Sequence, residues 1–134
     1  MEEKIYFIEL GPRNGGNMIP DLLNYISGKD VIDASIKSST GNSKIDVAFD
    51  KKKCFFATHN LHTNKNGVLK EIKFKKSLER YIIQKEIYKE VGEQVYYFDG
   101  ANKALGIIFL RFKSLRKMKN YLQKINNKIL IIVE

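Results

Sequence analysis

Residues 8–41 read IELGPRNGGNMIPDLLNYISGKDVIDASIKSSTG. The β-branched and aromatic run at residues 4–9 stops at a Gly-Pro pair, which predicts a strand that enters a loop. From Met18 onward the apolar side chains recur every three or four residues, and Gly28 follows the last of them. This spacing predicts a helix of about two and a half turns that begins near Met18 and ends at Gly28.

The residues after this helix predict further helices and strands. Asp30 is a candidate N-cap for a second short helix, which would end before Gly41. Residues 78–91 fit either a helix or a strand, and we favour a short helix that passes into a strand. Ser114 is expected to cap a helix that reaches Asn126 and packs on an antiparallel sheet. The strand candidates are residues 54–61, 68–74, 95–98, 105–112 and 128–133.

The whole pattern predicts an α+β fold in two parts. Residues 1–50 would supply a strand, a loop and two helices, whereas residues 51–134 would form a small, mainly antiparallel β domain with one packed helix. The charge divides at the same boundary. Residues 1–50 carry 5 basic and 8 acidic side chains, and residues 51–134 carry 19 basic and 7 acidic ones.

The second part contains enough apolar positions to close a small core, with its lysines facing solvent. These positions are Phe55, Ile72, Val95, Tyr97, Ile107, Phe109, Leu115, Met118, Leu122, Ile125, Ile129 and Ile131. Tyr96, Tyr97 and Phe98 could stack on bases, but packing in the core is favoured because they alternate along a predicted strand. Cys54 is the only cysteine, so it forms no internal disulfide and is expected to be a small core residue.

The loop between the first strand and the first helix could be a surface turn with an exposed Glu and Arg, but it also has the composition of a site for a metal and a phosphate. Glu9 ends the strand, and a strand-end carboxylate can hold Mg²⁺, which prefers oxygen ligands. Arg13 adds a planar guanidinium group, which can donate two parallel hydrogen bonds to phosphate oxygens. Gly15 and Gly16 allow the backbone to approach a ligand, and the helix that follows directs the positive end of its dipole at the loop.

Residues 4–41 resemble the end of the ATP-grasp domain of carboxylate-amine ligases. That superfamily has an E-x-N-x-R motif on its last strand, then a glycine pair, an apolar helix, a turn similar to T-G-x-D, and a second helix that ends in glycine. The turn here is Ser27-Gly28-Lys29-Asp30. The β-rich remainder is more loosely similar to the small domain that follows ATP-grasp in phosphoribosylamine-glycine ligase, the carbamoyl phosphate synthase large chain and biotin carboxylase.

The resemblance implies roles for the loop residues, with ATP and Mg²⁺ as cofactors. Glu9 would be a magnesium ligand and Arg13 would be the catalytic contact to the transferred phosphate or the acyl phosphate. Asn14, Gly15, Gly16 and Asn17 would shape the cofactor-binding loop. Gly11 departs from the family motif, which commonly has at this position an Asn that supplies a second metal ligand.

The resemblance also implies that this chain is the carboxy-terminal part of a ligase that joins small carboxylate and amine substrates through an acyl phosphate. In ATP-grasp enzymes the groups that hold adenine and the α and β phosphates come from earlier strands. We therefore expect the chain to be inactive alone, to have a missing amino-terminal ATP-grasp region as its partner, and to self-associate through an apolar patch left uncovered.

Other functions are weaker alternatives. The basic second part could be a nucleic-acid-binding module without catalysis, although it contains no recognised nucleic-acid motif. Zinc is disfavoured, because Cys54 and His59 would point to opposite faces of one strand, which leaves His62 with too few partners. No apolar run approaches the ~20 residues of a membrane-spanning helix. The first residues do not resemble a secretory signal, so a cytoplasmic location is expected.

Overall fold

A computed structural model describes residue 6, residues 15–41 and residues 54–134. The described residues form a mixed α+β fold, as predicted from the sequence. The strand predicted at residues 4–9 lies outside the described residues.

The described elements follow each other in a simple order. They are α1 (Ile19–Ser27), α2 (Val31–Ser39), β1 (Phe55–Leu61), β2 (Gly67–Phe74), α3 (Lys76–Glu79), β3 (Ile82–Ile87), β4 (Gln94–Val95), a 3₁₀ turn (Ala101–Lys103), β5 (Gly106–Phe112), α4 (Leu115–Leu122), a 3₁₀ turn (Ile125–Lys128) and β6 (Ile129–Val133). The short helix that passes into a strand after residue 75 is therefore confirmed as α3 and β3.

The described strands form two antiparallel sheets, whereas one sheet was expected from the sequence. The first sheet has the order β1-β5-β3, and the second has the order β4-β2-β6. In the first sheet β1 pairs with β5 from Phe55 opposite Phe112 to Leu61 opposite Gly106. Alternation along a strand does not reveal which strands are neighbours, so the division into two sheets is a tertiary feature.

The turn between α1 and α2 is built from side-chain hydrogen bonds. Gly28 ends α1 in the left-handed conformation, with φ of 73°, and its N–H donates to Asn24 O. The fully buried Ser27 donates from Oγ to Leu23 O at 2.7 Å. Asp30 caps α2, because its Oδ1 accepts hydrogen bonds from the N–H groups of residues 32 and 33. Both helix boundaries predicted here are confirmed.

Strand β5 is the centre of the fold. Its residues from Gly106 to Leu110 are all buried, so both faces of the first sheet are covered at this strand. On one face Tyr25 of α1 packs against Phe56 and Phe109, with ring centroids 6.4 and 6.0 Å apart. The hydroxyl of Tyr25 donates to Gln84 Oε1 at 2.9 Å, which ties α1 to strand β3 as well.

The other face of the first sheet packs on the second sheet and α4. The buried residues of this core are Leu61, Leu69, Leu78, Val95, Leu105, Ile108, Leu110, Phe112 and Ile125. Of the predicted core positions, Phe55, Tyr97 and Leu115 are wrong, since they are 38%, 53% and 42% exposed. Each lies at the end of an element or beyond it, where no second layer covers the side chain.

Two predicted elements are longer than those observed. Strand β4 ends at Val95, and Tyr96 and Tyr97 are exposed, so their predicted packing in the core is wrong. Beyond β4, Tyr97 N–H donates to Asn66 Oδ1 at 2.7 Å, so a side-chain amide replaces a strand partner. Helix α4 begins at its predicted cap Ser114 but ends at Leu122, because the chain turns through a 3₁₀ segment into β6.

Candidate functional site

Three of the six site residues named from the sequence, Glu9, Arg13 and Asn14, lie outside the described residues. Gly15, Gly16 and Asn17 are described, and all three are exposed immediately before α1. The Gly16 carbonyl accepts a hydrogen bond from the backbone N–H of residue 19 at 3.2 Å, which starts the helix. The part of the loop that is described thus lies in solvent at the amino-terminal end of α1.

The backbone of this loop turns at Asn17 and Met18 and not at the glycine pair. Asn17 has φ of 52° and Met18 has φ of 54°, both in the left-handed region. Such conformations are uncommon outside glycine, cost about 1–2 kcal/mol per residue, and occur often at ligand-binding loops. Gly15 and Gly16 were expected to give the loop its special backbone, but the strained positions are the two residues that follow.

The amino-terminal end of α1 has no capping side chain. Met18 occupies the N-cap position without a side-chain hydrogen bond, and Pro20 lies in the first turn. Asp21 is the acidic residue of this turn. The backbone N–H groups of a helix start carry partial positive charge and favour an oxygen ligand. The contacts of Tyr25 with the first sheet anchor the opposite, carboxy-terminal end of this helix.

A second group of polar residues lies between the two sheets. A cavity of about 390 Å³ is bounded by the end of β1 and the residues after it on one side and by β6 on the other. Its lining comprises His59, Leu61, His62, Thr63, Asn64, Lys65, Asn126, Ile129, Ile131, Ile132 and Val133. From the sequence, zinc binding by the two histidines was disfavoured, and this cavity was not predicted because β6 is distant from them in sequence.

The two histidines of the cavity have different surroundings. The rings of His59 and His62 have centroids 5.7 Å apart, and His62 also packs on Phe98 at 5.0 Å. Nδ1 of His62 lies 2.9 Å from the Asn60 carbonyl oxygen. The pKa of His59 is lowered from 6.5 to about 4, first because burial disfavours the charged imidazolium and second because of the charge of His62.

We expect His59 to make the free energy of unfolding depend on pH between about 4 and 6.5. In this interval the unfolded chain binds a proton at His59 whereas the folded chain does not, so stability is lost as the pH falls from 6.5 towards 4. The loss should be about 1–2 kcal/mol, allowing for partial solvent screening. Urea unfolding of the wild type and of His59→Asn at pH 7.0 and 4.5 measures it as the difference between the two proteins.

The same prediction has a direct spectroscopic control. The chain contains 2 histidines, so His59→Asn assigns both imidazole signals in a proton NMR titration. A midpoint near 6.5 for His59, or equal pH dependence of the two proteins, would contradict the prediction.

The basic residues are spread over the surface. None of the lysine and arginine side chains in residues 15–41 and 54–134 is buried, which confirms the predicted solvent-facing charge. A groove lined by Lys73, Lys76, Lys85 and Lys89 is partly neutralised, because Lys73 pairs with Glu71 at 2.6 Å and Lys89 pairs with Glu93 at 3.0 Å. Such local pairing weakens the case for a nucleic-acid interface.

Two further features bear on the predicted partners. Among the described residues, no helix is long and apolar enough to cross a membrane. In the same part of the chain, no group of three or more His, Cys, Asp or Glu side chains is arranged to hold a metal ion. The predicted magnesium ligand Glu9 lies outside that part.

Two solved structures share this arrangement of helices and sheets. One is a phosphoribosylglycinamide synthetase from Anaerococcus prevotii, with a TM-score of 0.63 and 25% identity over 88% of this chain. The other is an L-amino acid ligase from Bacillus licheniformis, with a TM-score of 0.72 and 12% identity over 96% of this chain. Both are ATP-grasp ligases. The resemblance to ATP-grasp ligases is confirmed.

The chain spans about a third of the length of these two ATP-grasp structures, since it covers 31% of the synthetase and 33% of the amino acid ligase. At 12% identity the second likeness shows the fold alone. No protein-family model matches the chain, and no curated protein matches it. The likeness to ATP-grasp ligases therefore comes from the fold and from the motif in residues 4–41.

Proposed function

We propose that this chain is the carboxy-terminal part of an ATP-dependent, magnesium-dependent ligase that joins a small carboxylate to an amine. The observation that carries the proposal is the shared fold with a phosphoribosylglycinamide synthetase over 88% of this chain at 25% identity, together with coverage of 31% of the synthetase. The carboxylate would attack the terminal phosphorus of ATP and release ADP. The amine would then attack the acyl carbon and release phosphate.

The loop before α1 would bind Mg²⁺ and the phosphate that is transferred in this reaction. Glu9 would hold Mg²⁺, and Arg13 would contact the transferred phosphate. The start of α1 has no side-chain cap and supports an anion site here, because the first turn of a helix carries partial positive charge. The left-handed residues Asn17 and Met18 also support a binding loop, because such conformations occur often in these loops. Asn14, Gly15 and Gly16 would complete the loop beside the nucleotide.

The rest of the ligase would pack on α1 and α2. Three isoleucines on these helices, Ile26, Ile32 and Ile36, are 40%, 41% and 60% exposed, and α2 has no buried residue. Ile32 and Ile36 are four residues apart and so lie on one face of α2. An exposed apolar face of this kind fits a surface that is covered in a larger protein, and it is also the surface through which the chain alone would self-associate.

We further propose that residues 1–50 complete the ATP-grasp catalytic domain and that residues 51–134 form the small domain after it. The turn at Ser27 to Asp30 supports the first assignment, because its hydrogen bonds give a structural reason for the family-like sequence there. The two antiparallel sheets and α4 support the second. Tyr25 would join the two units through its contacts with Phe56 and Phe109.

Isothermal titration calorimetry with ATP and Mg²⁺ tests the proposal. We expect no measurable affinity in the micromolar range for residues 1–134 alone, because the groups that hold adenine would come from the part of the ligase fold that this chain does not cover. Joining this chain to an amino-terminal ATP-grasp region in one polypeptide should restore binding and ATP-dependent ligation. Micromolar affinity of the isolated chain, or failure of the joined protein to bind ATP while it remains folded, would contradict the proposal.

A further inference from the structure

The cavity between β1 and β6 is lined by both histidines of the chain, and the proposed ligase reaction assigns a role to neither of them. β1 and β6 are edge strands, because within the described residues β1 pairs with β5 and β6 pairs with β2. His59 lies on the same face of β1 as the core residue Leu61, and it therefore points between the two sheets. The chain brings His62 to the same cavity one residue after β1 ends.

We propose that His59 and His62 together bind one zinc ion, or a neighbouring first-row transition metal ion, in an open two-imidazole site. Neutral imidazole is a strong ligand for these ions, whereas Mg²⁺ and Ca²⁺ prefer oxygen ligands. Since the described residues offer no third His, Cys, Asp or Glu ligand here, water or an external ligand would complete the coordination.

The separation of the two rings fits a shared ion. With metal–nitrogen bonds of about 2.0–2.1 Å, two imidazoles on one tetrahedral ion have ring centroids roughly 5–5.5 Å apart. The observed separation is 5.7 Å, which lies a few tenths of an ångström above that range. The cavity of about 390 Å³ has room for the ion and its remaining ligands.

The hydrogen bonding of His62 also favours metal binding. A carbonyl oxygen only accepts hydrogen bonds, so the contact of 2.9 Å between Nδ1 and Asn60 O places the ring hydrogen on Nδ1. Nε2 of the neutral ring then keeps its lone pair. Histidines that bind metals usually donate their other ring N–H to a carbonyl or carboxylate in this way. Packing on Phe98 at 5.0 Å restricts the ring further.

The surroundings of His59 also bear on cation binding, because its partly buried ring lines the cavity. The one charged side chain in the lining of this cavity is Lys65, which is exposed. Its ammonium group is hydrated and screened by solvent, so it opposes the ion weakly.

Zinc titration of the tag-free protein by calorimetry tests the site. The background should be Cys54→Ser, because a free thiolate also binds zinc. We expect one zinc ion per chain, and we expect His59→Ala and His62→Ala each to weaken the affinity at least about tenfold. Asn127→Ala is a matched control, since Asn127 is exposed near the cavity but does not line it, and its affinity should be unchanged.

A second readout separates loss of the ligand from loss of the fold. Long-range proton–nitrogen NMR spectra should show two imidazoles, and zinc should shift the signals of both. Zinc should also raise the melting temperature of the background protein and leave that of the double variant His59→Ala/His62→Ala unchanged. Equal zinc affinity in the double variant, no binding by the background protein, or a response of only one imidazole would overturn the proposal.

Discussion

Replacing Glu9 by Gln or Arg13 by Ala in the proposed complete ligase is expected to lower turnover by about 10²–10³-fold for each substitution. Glu9→Gln keeps the size of the side chain but removes the charge that would hold Mg²⁺. Arg13→Ala removes a planar cation that would stabilise charge on the transferred phosphate. Steady-state rates of ADP release in the presence of both substrates measure the two losses.

Two controls make this result specific. Glu90→Gln and Arg116→Ala delete the same charges at exposed positions in the second part of the chain, and their turnover should remain within about twofold of the wild type. Arg13→Lys should recover part of the loss, because lysine restores the charge but not the two-pronged hydrogen bonding. Wild-type turnover in both Glu9→Gln and Arg13→Ala would show that the proposed residue roles are wrong, even if the complete protein is a ligase.

Phe109→Ala is expected to be the most destabilising of the substitutions considered, with a loss of about 3–5 kcal/mol in the free energy of unfolding. Phe109 is 0% exposed on the central strand β5 and packs against Tyr25 of α1. Removing the ring leaves a cavity at the contact between the helix pair and the first sheet. Since a domain of this size has a total stability of about 5–15 kcal/mol, the loss is a large part of it.

Phe55→Ala is the matched control, because it deletes the same ring from the neighbouring strand β1. Phe55 is 38% exposed, so its loss should be about 1 kcal/mol or less. Guanidinium unfolding of both variants gives the comparison. Phe109→Leu, with an expected cost of about 1–2 kcal/mol, keeps the test informative if Phe109→Ala does not fold. Equal losses for Phe109→Ala and Phe55→Ala would contradict the observed burial.

The difference in burial between Phe55 and Phe109 could not be predicted from the sequence. Both are aromatic, both lie in strands predicted from alternation, and both were assigned to the core. Burial of Phe109 depends on α1, which is about 80 residues earlier in the chain. No local signal identifies which strand face another element will cover, because that depends on contacts between distant segments.

Interactions between residues close in sequence were sufficient to predict the boundaries of α1 and α2. Gly28 ends α1 because it adopts the left-handed conformation at φ of 73°, and Asp30 starts α2 because its carboxylate accepts hydrogen bonds from the first turn. Ser114 starts α4 in the same manner, by accepting from the N–H of Lys117. These capping interactions join residues within about four positions of each other. They can therefore be predicted from the sequence without knowledge of the tertiary contacts.

The sequence by itself determined the α+β class, the helix boundaries at Gly28, Asp30 and Ser114, the exposure of the basic residues and the resemblance to ATP-grasp ligases. Tertiary structure alone decided that the strands form two sheets, that β5 is buried on both faces and that His59 and His62 share a cavity with β6. Caps and apolar periodicity depend on residues within one or two turns of each other. Sheet partners, burial and the pKa of His59 depend on residues that only the folded chain brings together.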